Sequence, residues 1–129
     1  MKKGISVMLT MLFLFLVSGI AFAGQKEKIA VAANGQTPAA SISAQAGRAP
    51  FFLFFDENGK LIETIANPAK DSQNSGIAVA DFLAGKGVTV VVAEGFGNRI
   101  VEVMKGKGIR AVTFKGSVEA AVKKILQAN

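Results

Sequence analysis

A chain of 129 residues with 15 basic and 9 acidic side chains carries a net charge of +6 and has no cysteine, histidine, tryptophan or tyrosine. These absences exclude disulfide stabilisation, zinc, copper or iron–sulfur sites built on thiolate or imidazole, and Cys–His or Ser–His–Asp catalysis. The basic excess is spread along the chain and suits an anionic ligand or plain solubility equally, and nucleic acid is not among the expected partners.

Residues 1–23 have the plan of a secretory signal peptide. Lys2 and Lys3 give the positive start, residues 5–17 the apolar core, and Ala21-Phe22-Ala23 the small-x-small cleavage site. The alternative is a retained anchor, since residues 4–23 approach the ~20 apolar residues that span a bilayer. Cleavage predicts a periplasmic or secreted protein with no membrane contact, and without cysteine it has no lipid anchor. Residues 24–129 are then a single domain, large enough for a real core. With Lys2 and Lys3 set aside, 13 basic residues face 9 acidic ones, a charge of +4.

Residues 28–33 are a short apolar run ending at Asn34-Gly35, a strand followed by a turn. Residues 36–49, rich in Ala, Ser, Gly and Gln without a period, predict a functional or mobile loop. Phe51 to Phe55 and residues 60–66 flank Asp56-Glu57-Asn58-Gly59, a hairpin signal, and the five apolar residues before it suggest a strand buried on both faces. Ser75 is placed as the cap of a helix reaching Ala84, with Ile77, Ala78, Phe82 and Leu83 as its apolar stripe. Residues 88–93 read as a buried parallel strand. A second helix follows Glu94-Gly95-Phe96-Gly97-Asn98, with Ile100, Val101 and Met104 inward. Residues 109–114 form a fifth strand and residues 117–127 a last helix.

The order β-β-β-α-β-α-β-α predicts an α/β fold: one mixed sheet with helices on its faces. If the second strand is antiparallel to the first, the loop carrying Gln45, Gly47 and Arg48 falls at one sheet edge. Asn34, Asn67, Gln73 with Asn74 and Ser75, Glu94 to Asn98, and Lys115-Gly116-Ser117 fall there too. This carboxyl edge is the favoured ligand crevice of open α/β sheets. Gly95-Phe96-Gly97 either presents N–H groups to an anion or is simply a tight turn. Phe96 is either a wall of the crevice or ordinary core, and Glu94 is expected to pair with Arg48 or Arg99.

The segment Gly47-Arg48-Ala49-Pro50-Phe51-Phe52, with Asn67-Pro68, Gly76-Ile77, Gly95-Phe96-Gly97, Val103 and Gly108-Ile109, resembles the dinitrogenase iron–molybdenum cofactor biosynthesis domain family, of NifX and NifB C-terminal type. The likeness runs through nearly all of residues 29–122. It implies a ribonuclease-H-like sheet of strand order 3-2-1-4-5, and iron–sulfur or iron–molybdenum clusters as cargo. The family's histidine and phenylalanine positions read Gln45 and Ala46 here, and a second histidine position falls at Gln73-Asn74. Amides are much poorer ligands for iron or molybdenum than imidazole, so no metal-ligating residue is assigned.

The resulting expectation is an exported, non-enzymatic module that holds a small anionic ligand or metal cluster. Its ligand-binding set is Asn34, Gln45, Gly47, Arg48, Asn67, Asn74, Gly95, Phe96, Gly97 and Asn98. The alternative is a protein-interaction or scaffold domain with a degenerate cluster site. A carboxylate-metal hydrolase is disfavoured, because Asp56 and Glu57 fall on the sheet edge opposite Glu94.

Overall fold

The computed structural model describes residues 26–127, so the expected signal segment lies outside the described residues. Five strands, β1 (Ile29–Ala33), β2 (Phe51–Phe55), β3 (Leu61–Ala66), β4 (Val90–Ala93) and β5 (Arg110–Thr113), form one sheet in the order β3-β2-β1-β4-β5. The β1–β2 and β2–β3 pairs are antiparallel, whereas β1–β4 and β4–β5 are parallel. Three helices complete the fold: α1 (Ser75–Gly85), α2 (Asn98–Gly106) and α3 (Val118–Gln127). The strand order and the antiparallel setting of β2 agree with the sequence expectation.

The central strands are apolar throughout because each packs on both faces. Their period of two divides the core into halves. Ala30, Ala32, Phe52, Phe54 and Val91 face Val79, Leu83, Ile100 and Met104 of α1 and α2. Ile29, Val31, Leu53, Phe55, Val90 and Val92 face Val118, Ala121, Val122 and Ile125 of α3. Phe52 and Phe54 are fully buried, each burial worth roughly 1.5–3 kcal/mol. At the β3 edge the burial is mixed and Ile62 is 49% exposed.

Strands β4 and β5 begin later than the apolar runs suggest. The N–H of Val88 donates to the Leu83 carbonyl and that of Ile109 to the Met104 carbonyl, so the ends of α1 and α2 take up residues that looked like strand.

The helix faces also differ from expectation. In α1 the buried residues are Ser75, Val79, Ala80 and Leu83, while Ile77 is 37% exposed. Docking of the first turn sets this phase, because Gly76 lies against Ile100 and Ser75 against Gly47. In α2, Ile100 and Met104 are buried but Val101 is 40% exposed. Adjacent helical residues point about 100° apart, so Ile100 and Val101 cannot share one seam. Ser75 is not the cap: it is the first helical residue, and Asn74 occupies the cap position without a side-chain capping bond.

Candidate functional site

The unpatterned stretch after β1 is stitched along the carboxyl edge of the sheet. Ile42 pairs with Ala33 and Ser41 with Ser117 as isolated bridges, and Ile42 is buried. The N–H of Ser43 donates to the Ala32 carbonyl at 2.8 Å, and that of Glu94 to the Ser43 carbonyl at 2.9 Å. The N–H of Ala46 donates to the Gly95 carbonyl at 3.1 Å, and Ala46–Arg48 then forms a single 3-10 turn. This loop therefore bonds to β1 and to the segment that follows β4.

Three segments meet around a cleft of about 490 Å³. Residues 44–48 supply one side, residues 73–77 at the start of α1 a second, and residues 95–100 at the start of α2 the third. Two close approaches hold them together. A Cβ on Gly47 would come within 2.9 Å of Ser75 Oγ and 3.2 Å of the Gly76 nitrogen, and one on Gly95 within 3.0 Å of the Ala44 carbonyl oxygen.

Both helices that reach the cleft open toward it. At α1 the first carbonyl acceptor is Asn74, bonded to the N–H of Ala78, which leaves the N–H groups of Ser75, Gly76 and Ile77 without helical acceptors. At α2 the Gly97 carbonyl accepts from Ile100 and Val101. Neither helix has an acidic residue in its first turn, whereas α3 has Glu119 there. Aspartate or glutamate is the usual complement of a helix N-terminus; α2 instead places the exposed Arg99 at the cleft. Among the described residues no carboxylate lines the cleft. Lining it are amides, a hydroxyl, guanidinium groups and backbone N–H, together with the apolar Ala44, Ile77, Phe96 and Ile100.

Of the residues expected at the crevice, Gln45, Gly47, Arg48, Asn74, Gly95, Phe96 and Gly97 line the cleft. Phe96 satisfies both of its readings, since it lines the cleft and packs on the core beneath α1 and α2. Arg48 was expected beside Asn34. Its Nη1 instead donates to the carbonyls of Lys70 (2.9 Å) and Ser72 (3.1 Å), clasping the loop ahead of α1. Asn67 is buried away from the cleft and acts as a bracket: Nδ2 donates to the Gly47 and Ala49 carbonyls and Oδ1 accepts from the Ala69 N–H. Asn34 also lies apart, with Nδ2 donating to Ser41 Oγ and the Ile42 carbonyl. Asn98 opens α2, but its side chain is outside the described residues. Among the described residues Glu94 forms no ion pair with Arg48 or Arg99; it borders separate hollows beside Lys115.

Sequence reasoning missed Ile77 and Ile100 as lining residues, named Arg99 only as a partner for Glu94, and set Ser75 at this edge as a helix cap. A signal for Arg99 was present: a cation in the first turn after Gly95-Phe96-Gly97, where dipole and charge repel. For a metal the donor set is unsuited. Among the described residues no three His, Cys, Asp or Glu side chains gather, and none of these types lines the cleft.

Residues 27–128 match the family described as dinitrogenase iron–molybdenum cofactor. The chain belongs to this family. The apo form of the orange protein from Desulfovibrio gigas is 27% identical, with a TM-score of 0.74, covering 81% of this chain and 90% of its own. A Thermotoga protein provisionally named NifB is 26% identical with a TM-score of 0.67, covering 78% and 88% respectively. A Methanocaldococcus jannaschii protein provisionally named as a dinitrogenase is 12% identical with a TM-score of 0.58, covering 81% and 91%, and shows likeness of fold alone. No curated protein matches the sequence. Family membership implies a domain of the cofactor-biosynthesis or cofactor-binding type. In this member the positions around the cleft carry Gln45, Gln73 and Asn74, and no imidazole.

Proposed function

We propose that this chain is an exported, non-enzymatic binding module of the iron–molybdenum cofactor family that holds a small anionic ligand or metal cluster in the cleft between the starts of α1 and α2. The observation that carries this reading is the joint opening of two helix N-termini onto one cleft that Arg99 borders and no carboxylate of the described residues enters. Partial positive charge from the unpaired N–H groups and a guanidinium act together there on an anion. A metal cluster would have to arrive with its own ligands and be held by hydrogen bonds and charge, because the walls offer neither thiolate nor imidazole. Among the described residues no carboxylate or imidazole stands beside the Ser75 hydroxyl to act as a base, which favours binding over catalysis. Export rests on the signal-like pattern of residues 1–23.

Titration calorimetry of the purified protein with a panel of anions tests the reading. Binding should weaken about tenfold or more in Arg99→Ala and weaken with rising salt. Binding of every anion unchanged in Arg99→Ala would remove the proposed site.

A further inference from the structure

Polar and apolar groups line the cleft together, and that mixture bears on what kind of anion it takes. Ser75 is only 7% exposed, yet its hydroxyl makes no hydrogen bond among the described residues while it lines the cleft. Among the described residues no buried side-chain oxygen or nitrogen lacks a partner, so this hydroxyl is open to the cleft, where a ligand oxygen would accept its hydrogen bond. The N–H groups of Ser75, Gly76 and Ile77 stand beside it, ready to share an oxyanion.

The same cleft is lined by Phe96, Ile100, Ala44 and Ile77. Ile77 sits on a helix whose other large apolar residues turn inward, yet it remains 37% exposed at the cleft. A fully hydrated inorganic ion gains nothing from such a wall. An apolar or aromatic body gains by removing it from water, and a ring can pack against Phe96. Size points the same way. A cleft of about 490 Å³ lies in the ~300–1,000 Å³ range of small-molecule sites and is several times the volume of a tetrahedral oxyanion.

We propose that the cleft takes an aromatic carboxylate. Its carboxylate is seated on Ser75 Oγ and the first N–H groups of α1, with Arg99 neutralising the charge, and its ring lies along Phe96, Ile77 and Ile100. This rests on the anion-binding reading above and narrows it from any small anion to an amphiphilic organic one.

Calorimetric titration of the purified protein with 2-naphthoate, the uncharged 2-naphthol, sulfate and molybdate tests it. Naphthoate should bind at least about tenfold more tightly than each of the other three. Phe96→Ala should weaken naphthoate about tenfold, Phe96→Leu by less, and neither should change the titrations with sulfate or molybdate. Ser75→Ala should weaken naphthoate several-fold, and thermal melts confirm that each variant is folded. Sulfate or molybdate bound as tightly as naphthoate, with no response to Phe96→Ala, would overturn this proposal and leave the anion site standing. Naphthol bound as tightly as naphthoate would overturn it by removing the need for charge. If none of the four binds, both the proposal and the anion reading fail.

Discussion

Gly47→Ala probes the assembly of the cleft directly. The added methyl would lie 2.9 Å from Ser75 Oγ, 3.2 Å from the Gly76 nitrogen and 3.4 Å from the Gly76 Cα. The serine hydroxyl can rotate aside, but the Gly76 backbone cannot, because Gly76 is itself packed against Ile100, where a Cβ would meet Ile100 Cβ at 3.3 Å. On the other side the Gly47 carbonyl is held by Asn67 Nδ2 at 3.2 Å, so the 3-10 turn cannot retreat freely. Overpacking of this kind costs about 1–3 kcal/mol. For a domain of this size that corresponds to a fall in Tm of roughly 4–8 °C per kcal/mol. Urea denaturation of Gly47→Ala, Ser75→Ala and the double variant measures it. If Ser75 Oγ is half of the clash, the double variant should recover on the order of 0.5–1 kcal/mol relative to additivity. An unchanged denaturation midpoint in Gly47→Ala would refute the close approach as the constraint that brings the loop and α1 together.

Asn67→Ala should destabilise by about 2–3 kcal/mol in the same assay, because it strands the buried carbonyl of Ala49, the Gly47 carbonyl and the N–H of Ala69 at once. Arg48→Ala removes only exposed bonds to Lys70 and Ser72, so its stability cost should stay near 0.5–1 kcal/mol; a loss as large as that of Asn67→Ala would show that the clasp holds more than its loop. Leu83→Ala, at a fully buried position between α1 and the sheet, should cost about 2–5 kcal/mol in equilibrium unfolding. In the hairpin, the Asp56 carboxylate accepts the backbone N–H groups of Lys60 and Asn58, and the Lys60 bond above all holds its pKa below the ordinary carboxylate range. A depressed folded pKa means that this stabilisation is present above the unfolded pKa and is lost as pH falls through the folded one. Denaturation midpoints followed from pH 6 downward should therefore drop less steeply in Asp56→Asn than in the parent, and parallel curves would contradict this.

The sheet was legible in the residues themselves. Ile29 to Ala33, Phe51 to Phe55 and Val90 to Ala93 are apolar at every position, which only a strand covered on both faces requires, and Asn58-Gly59 closes the hairpin that makes β2 antiparallel. Connectivity then brought the loops before β2, after β3 and after β4 to one edge, and with them most of the cleft. Side-chain direction was not legible. Asn67 and Gln73 look alike as polar residues near a turn, yet the first is a buried bracket and the second lines the cleft. Arg48 and Arg99 are both arginines beside glycines, yet Arg48 clasps two carbonyls, whereas Arg99 borders the cleft and forms no ion pair among the described residues.

The sequence by itself determined the order of elements along the chain, the two-faced core and the absence of thiolate and imidazole, since burial period and composition are local properties of the chain. The strand order came from the family resemblance. Only the tertiary structure decided which residues form the cleft. The docking of Gly47 on Ser75 and of Gly76 on Ile100 sets the rotation of α1, and a turn of about 100° per residue decides whether Ser75 or Ile77 faces the core. Contacts between residues far apart in sequence make that choice, and no window along the chain contains them.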